Sequence, residues 1–144
     1  MDGQRSKFTH LIDDELVDDS ITNLIINGRI YADNWNKILL YPNLKYLSLR
    51  CIIICNSNLL WKDFFQVINS LPKLEELDLS YQVFDLKLLK NLPPTVKYLN
   101  ITQTSIENLD ILNRNDITIY VNRGKMKNVK KYRERGISIV YKEK

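Results

Sequence analysis

Glycine and proline are scarce in this chain, four of each in 144 residues, and neither clusters into a linker. That is one domain's length of chain with little left for a second. Cysteine occurs twice, at Cys51 and Cys55, too few for a disulfide framework. Zinc needs four ligands, and the one histidine, His10, lies far off in sequence. The expectation is therefore a pair of reduced thiols in or near a core, with no metal and no cofactor. Long apolar runs are missing as well. Cys51-Ile52-Ile53-Ile54-Cys55 is typical of the longest, whereas a membrane-spanning helix needs roughly 20 apolar residues. The N-terminus, Met-Asp-Gly-Gln-Arg-Ser-Lys, leads into acidic residues and not into an apolar segment with a cleavage site. A chain outside the secretory route is expected on that ground, cytoplasmic with the nucleus as the alternative. Signatures of catalysis are absent too: there is no glycine-rich phosphate loop, nucleophile elbow or metal-ligand spacing. His10 alone has an ordinary pKa near neutrality, and one histidine in an acidic stretch predicts a surface residue. The chain is not expected to be an enzyme.

What the chain does have is a beat. A composition of 44% apolar and 26% charged residues is that of an ordinary globular protein, and the apolar residues recur in register. Leu44-Lys-Tyr-Leu47-Ser-Leu49 is followed by Leu74-Glu-Glu-Leu77-Asp-Leu79 and by Val96-Lys-Tyr-Leu99-Asn-Ile101; upstream, Ile21-Thr-Asn-Leu24-Ile-Ile26 has the same shape. Five residues after the third aliphatic of each block stand Tyr31, Ile54, Phe84 and Ile106, again apolar. The blocks start 23, 30 and 22 residues apart. Repeats of that period indicate stacked supersecondary units, since one unit cannot bury its apolar face alone.

From about Ile21 to at least Leu112 the pattern resembles the leucine-rich-repeat family, in its short intracellular form. That resemblance implies an α/β right-handed solenoid of about five to six coils, with a parallel sheet on the concave face and helices and loops on the convex one. The expected organisation is a single domain over residues 1–144. Residues 1–20 would be an N-terminal cap or tail with a short acidic helix at Asp13–Asp19. Residues 21–122 would hold the repeats, and 123–144 a basic capping helix and a last strand. In the longest unit Leu60, Trp61, Phe64, Phe65 and Ile68 recur at helical spacing after Asn58, a candidate N-cap, and Leu71-Pro72 should end that helix. Ile117–Val121 and Ile137–Tyr141 alternate with period two and predict a fifth and a sixth strand. Between them a helix over Lys125–Arg135 would stop at Gly136. The family's usual turn asparagine is missing: Arg29, Ile52, Gln82 and Thr104 stand in its place. Other groups must then satisfy the turn carbonyls.

If the aliphatics point inward, the intervening residues of each strand line the opposite, concave face. They are Asn23, Ile25 and Asn27; Tyr46, Ser48 and Arg50; Glu76, Asp78 and Ser80; Tyr98, Asn100 and Thr102; then Thr118, Tyr120 and Asn122. Tyrosine and arginine are enriched at interface hot spots, so Tyr46, Ser48, Arg50, Glu76, Asp78, Tyr98, Asn100 and Tyr120 form the candidate surface for a protein partner. Glu76 and Asp78 resemble a hydrolytic carboxylate pair, but a shallow sheet is not expected to give them a pocket. Charge supplies the alternative. Residues 1–33 carry seven acidic and three basic side chains, residues 114–144 ten basic and three acidic. Lys125, Lys127, Lys130, Lys131 and Arg133 would make the basic helix a non-specific binder of nucleic acid or an anionic surface. The oppositely charged ends would also suit self-assembly.

Overall fold

The computed structural model describes residues 5–9, 16–30, 35–53 and 58–142. Among them lie seven strands: β1 (Ser6–Thr9), β2 (Asn23–Ile30), β3 (Tyr46–Ile53), β4 (Glu76–Asp78), β5 (Tyr98–Asn100), β6 (Thr118–Asn122) and β7 (Ser138–Lys142). All are parallel, and they stand in the sheet in chain order. The fold is α/β, one parallel sheet with few helices. Parallel neighbours need a crossover between them. Here the crossovers carry a 3₁₀ helix at Trp35–Leu40, α1 (Asn58–Ile68), a 3₁₀ helix at Leu86–Asn91 and α2 (Val129–Glu134).

Register follows the aliphatic pattern. Leu24 pairs with Leu47, Leu47 with Leu77, Leu77 with Leu99, Leu99 with Ile119 and Ile119 with Ile139. All six are buried. The next aliphatic of each block, Ile26, Leu49, Leu79, Ile101 and Val121, is buried as well, and so are the later echoes Phe84 and Ile106. These residues join Trp35, Trp61, Phe64, Leu89 and Leu109 of the connections in one continuous apolar cluster. A one-residue slip of any strand would turn its aliphatics to solvent, which is what fixes the register.

Two short strands, β4 and β5, end in the same device. The carboxylate of Asp78 accepts the Ser80 N–H at 3.0 Å, and the Asn100 amide oxygen accepts the Thr102 N–H at 2.9 Å. Such Asx turns divert the backbone from the ladder. Each is followed by a residue in the left-handed region, Tyr81 at φ 66° and Gln103 at φ 57°. The buried residues just beyond answer for the missing turn asparagine. Gln82 donates through Nε2 to the Leu49 carbonyl at 3.3 Å, and Thr104 donates through Oγ1 to the Ile101 carbonyl at 2.7 Å.

Several expectations need correcting. The described residues hold seven strands, not six, because Ser6–Thr9 pairs with Asn23–Ile26. Residues Leu16–Thr22 hold no helix; Asp18 instead accepts from the N–H and hydroxyl of Ser20. The predicted helix over Lys125–Arg135 shrinks to six residues. Met126 is buried and the Lys127 N–H donates to the Glu107 carbonyl at 2.7 Å, so this stretch is pinned to the preceding connection. Asn128, at φ 62°, then makes the turn into α2. Gly136, at φ 97°, ends α2 as expected. Its N–H donates to the Arg133 carbonyl and that of Ile137 to the Tyr132 carbonyl, a Schellman termination that favours glycine. Helix α1 takes in Asn58 as its first residue, not as the N-cap expected, and is over before Leu71-Pro72 as expected. His10, Asp13–Glu15, Tyr31, Ile54 and Cys55 lie outside the described residues, as does the Cys51 side chain. None of the described helices is long and apolar enough to cross a membrane.

Candidate functional site

The polar face of the sheet is built in rows across the strands. One row runs Asn23, Tyr46, Glu76, Tyr98, Thr118 and Ser138; the next runs Ile25, Ser48, Asp78, Asn100, Tyr120 and Val140. The alternation that buries Leu47, Leu77 and Leu99 sends these side chains the other way. Arg50 stands beside Asn27 farther along β3. Every residue of the candidate partner surface therefore shares one face. They differ in depth. Tyr98 is 43% exposed and Ser48 only 1%, so Tyr98 stands proud and Ser48 is floor. Ser80 and Thr102, expected in the same rows, lie beyond the strand ends in the Asx turns. Thr102 is buried and spends its hydroxyl on Asn100 at 2.8 Å.

At the centre of this face is a cleft of about 120 Å³ lined by Tyr46, Glu76, Asp78, Tyr98, Asn100, Tyr120 and Lys142. The expectation that a shallow sheet gives Glu76 and Asp78 no pocket is thus corrected. Three tyrosine rings supply walls. Burial raises the pKa of Glu76, the neighbouring charge of Asp78 raises it further, and Lys142 opposes the shift. Tyr46 is also raised, first by burial and then, against its hydrogen bond with Ser48, by the two carboxylates. The Ser48 hydroxyl reaches Asp78 Oδ2 at 3.5 Å, a long contact. A second, wider hollow of about 440 Å³ adjoins it along Ser48, Arg50, Asp78, Ser80 and Tyr81. Tyr81 is 69% exposed despite its left-handed backbone.

Lys142 is the residue that reading the strands one at a time misses. It lies on β7 and pairs with Asn122, yet its ammonium sits 4.7 Å from the centroid of the Tyr120 ring and borders the cleft. Its period-two offset from Val140 was a signal available in the sequence.

The basic segment is less open to anions than its composition suggests. Lys127 pairs with Glu107 at 2.9 Å and Lys131 with Asp110 at 3.3 Å. Arg133 donates to the Ile139 carbonyl at 2.8 Å and lies over the Tyr141 ring. Lys125 and Lys130 are exposed and enter no ion pair among the described residues. The hydrogen bonds from Lys127 hold Glu107 below the usual carboxylate range, and those from Tyr132 and Lys131 do the same for Asp110.

Known protein families, characterised proteins and solved structures offer no match to this chain. Function must be read from the site itself. Among the described residues no group of three histidine, cysteine or acidic side chains could hold a metal ion.

Tyr132 anchors the basic segment and gives a test of that packing. Its hydroxyl accepts the Leu109 N–H at 2.9 Å and donates to Asp110 Oδ1 at 2.7 Å. Tyr132→Phe strands a buried backbone donor, for which the usual cost is about 1–3 kcal/mol. Urea unfolding should register that loss. A variant as stable as the parent would mean that the Leu109 N–H finds another acceptor.

Proposed function

We propose that the chain is a small leucine-rich-repeat solenoid that docks a protein segment on the polar face of its sheet, and that it acts by binding, not by catalysis. The observation that carries the reading is the row of Tyr46, Glu76, Tyr98 and Thr118 standing opposite the buried Leu47, Leu77 and Leu99. The same period that makes the apolar beat therefore also makes an ordered polar wall. Strand order that follows chain order supports the solenoid, because each unit then touches only its neighbours. Tyrosine brings large rigid area with a polar tip, at small entropic cost on docking. A 120 Å³ cleft is the size of one side-chain head group of a docked segment. In the basic segment Lys127, Lys131 and Arg133 already hold partners within the chain, which favours this reading over nucleic-acid binding. The setting we propose is the cytoplasm.

The test pairs two substitutions. Truncating a hot-spot tyrosine costs about 2 kcal/mol or more, roughly 30-fold in affinity. Tyr46→Ala with Tyr98→Ala should release partners that the parent chain captures from lysate of its native cell, with thermal unfolding nearly unchanged. Lys62→Ala with Gln66→Ala, exposed on α1, should keep them. Capture that survives loss of both tyrosines, or that fails with the α1 pair, assigns the wrong surface.

A further inference from the structure

We propose that the central cleft receives a lysine or arginine side chain of the docked segment, and that Lys142 of this chain competes for the same place. The inference rests on the docking face proposed above and adds the chemistry of its anchor. Glu76 and Asp78 stand two residues apart on β4 and face the cleft together. Among the described residues neither forms an ion pair. Two neighbouring carboxylates in a recess are unfavourable until a cation joins them. Glu76 is exposed at its tip and Asp78 half-buried, and partial desolvation, then the charge of Asp78, raise the pKa of Glu76.

The walls suit a cation as well as the floor does. Tyr46 and Tyr98 flank Glu76 in the register, and Asn100 flanks Asp78 with Tyr120 one strand beyond. A cation over a tyrosine face gains about 0.5–1 kcal/mol at an exposed site. The cleft already shows this, since the Lys142 ammonium lies 4.7 Å from the Tyr120 centroid and its charge is felt at Glu76. Lys142 reaches in from β7, across the sheet from β4. It borders the carboxylates without the close ion pair that would neutralise them. An incoming lysine or arginine can descend between Tyr46 and Tyr98 and meet both carboxylates directly. An anion would gain Lys142 but face Glu76 and Asp78. The groups around Glu76 are thus Asp78 on its own strand, Tyr46, Tyr98 and Tyr120 on three others, and Lys142.

The whole chain carries a net charge of +4, so non-specific attraction favours an acidic peptide and opposes a basic one. That makes short peptides a stringent probe. The ¹⁵N-labelled full chain should be titrated with tetralysine, tetraarginine and tetraglutamate at low and physiological salt. Tetralysine or tetraarginine should shift the amides of Glu76, Asp78, Tyr98 and Tyr120 saturably, the stronger peptide naming the preferred head group. Glu76→Gln with Asp78→Asn should weaken that binding about tenfold or more, the lower range for close charge pairs. Lys142→Gln should strengthen it about two- to fivefold, which is what release of one cation–π contact provides. Lys130→Gln, an equal charge change on α2, should do so less.

Tetraglutamate shifting these amides, basic peptides leaving them unmoved, or Lys142→Gln failing to tighten binding beyond Lys130→Gln would each overturn the proposal. If the basic peptides fail while loss of Tyr46 and Tyr98 still releases the captured partner, the cationic anchor falls and the docking face stands. If the peptides bind and the tyrosine pair releases nothing, the cleft stands and the docking face falls.

Discussion

Phe64→Ala should unfold at a far lower urea concentration than the parent chain, with a loss of about 3–5 kcal/mol and an unchanged slope. Phe64 is fully buried on α1. Its ring centroid lies 4.8 Å from that of Trp35, 5.5 Å from Trp61 and 5.4 Å from Phe65. Trp61 and Phe65 in turn meet Phe84, at 5.2 and 6.2 Å. The rings come from three successive connections, the 3₁₀ helix at Trp35–Leu40, α1 and the segment before Leu86–Asn91. Among the described residues no backbone hydrogen bond ladder runs between these connections as it does between strands, so their mutual position depends on these side chains. Removing the central ring leaves a cavity that rigid neighbours cannot fill, which places the cost at the high end for a truncation. Domains of this size are stable by only about 5–15 kcal/mol, so the variant loses a large share of its stability. Gln66→Ala, exposed on the same helix, should stay within about 0.5 kcal/mol of the parent. A cost below about 1 kcal/mol for Phe64→Ala would mean that the ring cluster does not hold the connections together.

How far the sequence foretold this arrangement depends on whether the cause was local. The aliphatic beat is local, and it placed β2 to β7 and their mutual register correctly, down to the pairing of Leu99 with Ile119. Strand β1 was not legible. Ser-Lys-Phe-Thr has no aliphatic alternation; what makes it a strand is the free edge of β2, a partner 17 residues away. The short form of α2 was hidden for a similar reason. Lys125–Arg135 reads as an amphipathic helix alone, but Met126 and the Lys127 N–H are claimed by a neighbouring connection. The face of the candidate site followed from period two. Its cleft did not, because side-chain depth depends on which residues flank each position across the strands. Ser48 and Tyr98 face the same side from neighbouring rows, yet one is floor and the other wall. Lys142 borders the cleft by reaching over the Tyr120 ring of the neighbouring strand, a reach that period two alone does not give.

The other large effect is expected in the sheet. Leu99→Ala removes the middle of the row Leu24, Leu47, Leu77, Leu99, Ile119 and Ile139 and should cost about 2–5 kcal/mol. Leu77, Leu99 and Ile119 are fully buried, and each is the register partner of the next. At the end of the row, Ile139→Val should cost only about 0.5–1.5 kcal/mol. The more discriminating measurement is a pair of double-mutant cycles. Leu77 and Leu99 touch across adjacent strands, so Leu77→Ala and Leu99→Ala share one cavity and should couple by about 0.5–3 kcal/mol. Leu24 and Leu99 are three strands apart, about 14 Å at the usual strand spacing. Their truncations should add to within about 0.5 kcal/mol. A stack in which each unit meets only its neighbours demands that contrast between the two cycles. Equal coupling in both would mean that stability is shared through a globular core, and the ordered wall of tyrosines and carboxylates would lose its structural basis.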